Sequence, residues 1–179
     1  LLLNWLNITW MTVKQLYEAF NFFDKNLDLE LNEKGPGDIE YRLTVARKHL
    51  SSPGVGHGGV IAAMMDAVIG TTALSQVFHE KKLVSTIEFK INYFKPILED
   101  DILIGSGEIE FQGKSIIACS GKISKLDSGE LVSKSLGTFN IYPMEKRSLK
   151  FDLEQPSWFK TMLINYLWQQ FVNNLLFDK

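Results

Sequence analysis

The chain has little cysteine and no marked excess of either charge. Cys119 is the one cysteine among 179 residues, which excludes an intramolecular disulfide framework and favours a reducing, cytoplasmic location. Lysine and arginine together number 19, against 21 aspartates and glutamates, so the net charge is −2. This balance argues against the broad basic surface of a nucleic-acid-binding protein.

Several catalytic signatures are also missing. The chain contains neither the GxSxG elbow of a serine hydrolase nor the glycine pattern of a phosphate loop. Its three histidines have no second carboxylate or thiol at metal-ligand spacing, so we predict no metal site. The first residues show neither the basic region nor the long apolar stretch of a secretory signal, so we expect no cleavable leader.

Composition and patterning indicate one globular domain with helical ends. Hydrophobic residues make up 45% of the chain and charged residues 22%, which is ordinary for a globular protein. We predict an N-terminal helical segment (residues 1–27), a core domain (28–145) and a C-terminal helical extension packed on the same domain (146–179). Periodicity, caps and turn residues predict helices at 12–23 and 58–78 and strands at 28–33, 38–47, 84–95, 102–111, 115–126 and 131–141.

The C-terminal extension contains an amphipathic pattern. After Ser157, residues 158–177 predict a long helix with one polar stripe and a wide apolar face. Asparagine, glutamine and lysine interrupt it too often for a membrane span, so we predict none. Because Lys160 and Lys179 are its cations, packing on the dimer or sheet is favoured over a membrane surface. Docking of a partner protein is the alternative that stays open.

A single acid interrupts the apolar run of the second predicted helix. Between Gly58 and Phe78 the only charged residue is Asp66. The other residues are apolar almost all round, which predicts a helix buried on every side. A buried carboxylate must find hydrogen-bond donors or stay protonated, because burying it ionised and unpaired is very costly. Either outcome suits catalysis, and the alternative is a structural acid that caps or pairs.

Glycines precede that helix at high density. Gly54, Gly56, Gly58 and Gly59 lie within six residues of one another. They allow a substrate to approach the backbone closely, and a helix N-terminus offers unpaired N–H groups with partial positive charge. Such groups can stabilise an oxyanion as a carbonyl becomes tetrahedral. His57 lies beside them and either contacts substrate or hydrogen-bonds to the loop backbone.

The spacing of these groups predicts a dimer. Gly59 and Asp66 are seven residues apart, so they share a helix face but are separated by about 10 Å along the axis. A hydrogen bond reaches only about 3 Å, so one subunit cannot easily place both groups on one small carbonyl. Two antiparallel copies of the helix would bring Asp66 of one subunit to the glycine amides of the other. We therefore predict a homodimer with shared sites and leave a homotetramer open.

These residues also match a family. The segment HGGVIAAMMDAVIGTTAL, followed by TIEFKINYFKP at Thr86 to Pro96, resembles the hotdog-fold thioesterases, in the branch of the phenylacetate-pathway and small acyl-CoA enzymes. The resemblance covers residues 28–142 and is best over 49–96. It implies an α+β fold in which an antiparallel sheet wraps a long central helix. It also implies dimers that hydrolyse acyl-CoA, with coenzyme A as part of the substrate and no cofactor.

Site roles follow from the same resemblance. It implies that Gly58 and Gly59 donate to the oxyanion, that Asp66 acts as general base or nucleophile, and that Thr86 helps place water. Gly56, His57 and Ser51 are the expected substrate-binding residues.

Two features leave alternatives open. The family often carries asparagine where this chain has Ser51, and a hydroxyl is shorter than an amide. Three alternatives to full thioesterase activity therefore stay open: lower activity, another substrate, and acyl-CoA binding without hydrolysis. Strict strand alternation places Thr86 on the face opposite Ile87, Phe89, Ile91 and Tyr93, where it would be a plain strand residue.

Overall fold

In the computed structural model the described residues are 12–51 and 54–146, all within the first of the two units into which the chain divides, Leu1–Arg147. The predicted helix at 158–177 lies outside the described residues. The division into three segments stays a prediction.

Two short helices come first. They are α1 (Val13–Phe20) and α2 (Phe22–Asn26), where the sequence predicted one helix at 12–23. The predicted capping box is present, because the Thr12 hydroxyl accepts from the Gln15 N–H at 3.1 Å and the Gln15 side chain accepts from the Thr12 N–H at 2.9 Å. Asn21 interrupts the helix with φ −89° and ψ 81°, and its side chain caps α2 by accepting from the Asp24 N–H.

One antiparallel sheet of six strands follows, in the spatial order β1-β2-β4-β5-β6-β3. The strands are β1 (Glu30–Gly35), β2 (Asp38–Thr44), β3 (Lys82–Tyr93), β4 (Ile102–Gln112), β5 (Ile116–Lys125) and β6 (Leu131–Pro143). All six predicted strands are present within a few residues. The second ends at Thr44 because a 3-10 turn, Arg47–His49, follows it. The predicted α+β class is confirmed.

The central helix α3 (Gly58–Phe78) has the predicted bounds and packs against the sheet. Glycines of the strands let it approach closely. A Cβ atom on Gly121 or Gly137 would lie 2.6 Å or 2.8 Å from the side chain of Ile69. By length and composition α3 could cross a membrane, yet 67% of its apolar window is buried inside the structure, as in a core helix.

The prediction that this helix is buried on every side is wrong. Gly58 and Gly59 are exposed, and Ala62, Asp66 and Ala67 are only half-buried. These residues recur at helical spacing and form one face, which glycine and alanine make shallow and which the described residues cover only in part. The Asp66 carboxylate therefore lies at an accessible surface.

Candidate active site

The loop before α3 is held by backbone contacts. The Gly56 N–H donates to the carbonyl of Ile97 at 2.7 Å, and a Cβ atom on Gly56 would collide with the Ile97 side chain. The Ser51 hydroxyl donates to the carbonyl of Val55 at 2.9 Å. Ser51 is thus bonded within the loop and Gly56 to the segment after β3, and their substrate-binding roles stay predictions.

His57 is the N-cap of α3. Its ring Nδ1 accepts a hydrogen bond from the Gly59 N–H at 2.9 Å, and its carbonyl accepts from the Val60 N–H at 2.9 Å. The loop-backbone alternative considered for this histidine is therefore present in the structure. Gly59 can donate to a substrate only by releasing His57.

The neighbouring Gly58 differs from Gly59. Its N–H is the first of the helix, and within residues 12–51 and 54–146 it donates no hydrogen bond. It is exposed, so a carbonyl oxygen can reach it. Of the two predicted donors, Gly58 is the one whose amide is open.

Asp66 and Thr86 are brought together. The Thr86 hydroxyl donates to Asp66 Oδ1 at 3.1 Å. The expectation that Thr86 lies on the opposite face from Phe89 is wrong, because β3 contains a bulge: Thr86 pairs with Phe139, and Glu88 pairs with Thr138. Ile87 is the extra residue, and it shifts the alternation by one position. Thr86 therefore lies on the helix-facing side, with Phe89.

Aromatic side chains lie beside the helix start. Tyr93 is 49% exposed, and its hydroxyl lies 3.4 Å from the carbonyl oxygen of Gly58. Phe94, the next residue, is also 49% exposed. Tyr93 was not predicted as a site residue. Its position at the end of the TIEFKINY strand, within the segment that carries the family resemblance, was a signal that could have identified it. The Tyr93 ring offers an apolar surface next to the open amide.

A second polar cluster lies under the N-terminal helices. The Tyr41 hydroxyl donates to Asp24 Oδ2 at 3.1 Å and lies 3.1 Å from the Thr71 hydroxyl of α3. Burial raises the pKa of Asp24, and the negative charge of Asp66 raises it further. The hydrogen bond from Tyr41 lowers the pKa, but its effect is smaller than that of burial. Burial also raises the pKa of Tyr17 to about 12. Sequence reasoning missed this cluster because its members are far apart along the chain.

Neither the free cysteine nor a metal site offers a second reaction centre within the described residues. Cys119 is buried in β5, as its mid-strand position indicated, and burial raises the pKa of its thiol to about 12. Within the part of the chain that the structure describes, no three histidine, cysteine or acidic side chains are grouped as metal ligands.

Comparisons with known proteins show which family this chain resembles. A family model described as the thioesterase superfamily matches residues 53–132, which include α3 and β3. A candidate esterase from Thermoplasma acidophilum is 26% identical over 125 residues, 69% of this chain and 91% of that protein.

Solved structures have the same fold. The PaaI protein of the Escherichia coli phenylacetic acid degradation operon superposes with a TM-score of 0.64 at 17% identity, over 76% of this chain and 94% of that one. A hypothetical thioesterase from Streptococcus pneumoniae, solved with coenzyme A, has a TM-score of 0.61 at 22% identity, over 71% of this chain and 97% of that one. The predicted resemblance is confirmed.

Proposed function

We propose that this chain, which resembles the hotdog-fold thioesterases, hydrolyses an acyl-CoA thioester to a free acid and coenzyme A. The observation that carries the proposal is the hydrogen bond from Thr86 to Asp66, because it holds a carboxylate on the accessible face of α3. A related hypothetical thioesterase was solved with coenzyme A, which supports this carrier as part of the substrate.

The proposed reaction uses Oδ2 of Asp66, the carboxylate oxygen to which Thr86 does not donate. With Oδ1 held, Oδ2 of Asp66 accepts a proton from water while the water oxygen attacks the thioester carbon. The Gly58 N–H stabilises the oxyanion that forms. The C–S bond then breaks, and the leaving sulfur takes the proton that Asp66 received from water, so coenzyme A is released as its thiol and Asp66 is ionised again. Direct attack by Asp66 would give an acyl-enzyme anhydride that water hydrolyses, so the carboxylate acts as base or as nucleophile.

Two subunits are needed for this arrangement. Along α3 the glycine amides and Asp66 are about 10 Å apart, so a second copy must bring its Gly58 to the first copy's Asp66. The edge strand β3 offers a place for that copy, because within the described sheet it pairs only with β6. It also carries Ile87, which is 57% exposed. An open edge with an exposed apolar side chain favours pairing with another chain.

The test of the function is a panel of aryl and alkyl acyl-CoAs assayed with a thiol-reactive dye. We expect thiol release with at least one member of the panel, at a rate proportional to protein concentration. The alternative function is an acyl-CoA sensor, which Ser51 keeps open because its hydroxyl is used within the loop. Tight binding of an acyl-CoA without thiol release would favour the sensor and contradict the hydrolase.

Thr86→Val tests the hydrogen bond that holds the carboxylate. Hydrogen bonds to charged groups contribute about 1.5–3 kcal/mol, so we expect kcat to fall by about 10- to 100-fold with little change in KM. Steady-state thiol release measures both constants. The matched control is Thr138→Val, since Thr138 donates in the same way to the exposed Glu88 at 2.8 Å. If both variants lose the same activity, Thr86 has no special part in the reaction.

A further inference from the structure

The 3-10 turn before the active-site loop contains a buried histidine that the reaction does not use. We propose that His49 is a positioning residue, whose neutral ring holds the turn that orients His57 and so keeps the Gly58 amide open. This inference rests on the proposed function for its kinetic consequence. Its structural part stands on contacts that can be measured without turnover.

The ring of His49 closes the turn. Its side chain is 1% exposed, and its Nδ1 accepts a hydrogen bond from the Ala46 N–H at 3.0 Å. The His49 N–H in turn donates to the Ala46 carbonyl at 2.8 Å. Residue 49 thus binds residue 46 through both side chain and backbone. Nδ1 can accept only while it carries no proton, so the turn requires the neutral ring.

The turn then reaches the start of α3 through the backbone. The carbonyl of His49 accepts from the His57 N–H at 2.8 Å, and His57 Nδ1 accepts from the Gly59 N–H at 2.9 Å. These bonds form one continuous chain from Ala46 to Gly59. Because His57 occupies the Gly59 amide, the adjacent Gly58 amide is the one left to a substrate. A shift of His49 would therefore move the cap and the donor together.

The charges around His49 make the neutral ring the stable form. Burial lowers the pKa of His49 from its ordinary 6.5 and the Lys48 ammonium acts in the same direction, while Asp28 and a hydrogen-bonding contact with the Leu27 backbone oppose them more weakly. Lys48 and Asp28 also pair with each other at 2.8 Å, which reduces the net charge that the ring meets. Within the described residues the buried Nε2 has no hydrogen-bond partner. Protonation would thus break the bond from Ala46 and place a charge in a buried position.

The sign of the pH effect follows. The unfolded chain takes up a proton near pH 6.5 while the folded chain resists it, so the contribution of His49 to stability is complete above that pH. It is lost as the pH falls from there through the lowered pKa. The hydrogen bond from the His57 N–H to the His49 carbonyl should loosen in the same window.

The experiment compares His49→Asn with His49→Leu in the full-length protein. The Oδ1 atom of asparagine can accept from Ala46 where Nδ1 does but does not titrate, whereas leucine fills similar space without an acceptor. The control is His79→Asn, because His79 is exposed at the opposite end of α3. Amide hydrogen-exchange protection factors of His57 and Gly59, read by NMR from pH 5 to 8, report the chain of bonds directly. Thiol release supplies kcat and KM.

We expect His49→Leu to lower protection at both amides by about 10-fold, in line with the loss of about one hydrogen bond, and to lower kcat with KM nearly unchanged. His49→Asn should retain protection and kcat near pH 7.5. Below pH 6.5 the wild type should lose protection at the His57 N–H, whose acceptor is the His49 carbonyl, while His49→Asn retains it.

Two results would overturn the inference: unchanged protection in His49→Leu, or a wild-type pH response at the His57 N–H that His49→Asn shares. If His49→Leu does not fold, the comparison of wild type with His49→Asn across pH decides alone. If His49→Leu lowers protection but the wild-type protein releases no thiol, the hydrolase is rejected and the positioning role of His49 stands.

Discussion

Asp66→Asn should lower kcat for thioester hydrolysis by about 100- to 10,000-fold, the range that a positioned general base contributes. The asparagine amide has nearly the shape of the carboxylate, and its Oδ1 can still accept from Thr86, which now donates at 3.1 Å. It cannot take a proton from water. Because Asp66 is half-buried on a helix face of small residues, the exchange should leave the fold and the assembly intact.

Thiol release by the purified variant measures this loss, and size-exclusion chromatography with thermal unfolding checks the assembly. The control is Asp100→Asn, since Asp100 is exposed in a turn with φ 70°, a conformation that asparagine tolerates. Turnover of Asp66→Asn within a few-fold of the wild type would remove Asp66 from the mechanism.

Gly58→Pro should lower kcat by about 100- to 1000-fold, the usual cost of losing one oxyanion donor. Proline lacks the N–H but is well tolerated at the first position of a helix, which Gly58 occupies. The residue before a proline must be extended, and His57 is, with φ −69° and ψ 130°. The substitution therefore removes one donor with little cost to the helix.

Gly58→Ala separates the lost amide from the added side chain. It keeps the N–H, and its Cβ atom would lie 3.8 Å from Tyr93 Cε1, an ordinary van der Waals contact. We expect kcat of Gly58→Ala within a few-fold of the wild type. If alanine costs as much as proline, crowding at Tyr93 and not the missing donor explains the loss.

The same two inactive variants test the shared site. When Asp66→Asn and Gly58→Pro are unfolded together and refolded, half of the dimers are mixed, and each mixed dimer has one site with both groups intact. Activity should recover to about a quarter of the wild type. No recovery after verified subunit exchange would show that each subunit carries its own complete site.

Sequence patterns predicted helix boundaries correctly where residues close together along the chain determine the structure. The spacing of Thr12 and Gln15 correctly placed the start of α1, and the apolar run from Gly58 correctly bounded α3. Asn21 shows the limit of such signals. Its cap on α2 splits a pattern that reads as one helix, because a side-chain bond to Asp24 competes with the helix backbone.

The candidate site was predicted as a set of residues but not as a geometry. Asp66 was found because it is the one charge in an apolar run, and Gly58 because glycine precedes a helix start. That His57 occupies the Gly59 amide was left as an alternative, since nothing in the sequence says which way the ring turns. The accessibility of Asp66 was missed because apolar residues surround it on the helix, while burial depends on what packs against each face.

The amino-acid sequence by itself determined the α+β class, the bounds of the central helix, and the choice of a carboxylate and glycine amides as the proposed reacting groups. These depend on periodicity, caps and residue chemistry, which act over a few neighbouring positions. Only the tertiary structure decided that Thr86 faces Asp66. A bulge at Ile87 reverses the alternation of β3, and its position is set by pairing with β6, some 50 residues further along the chain, as in the contact of Glu88 with Thr138.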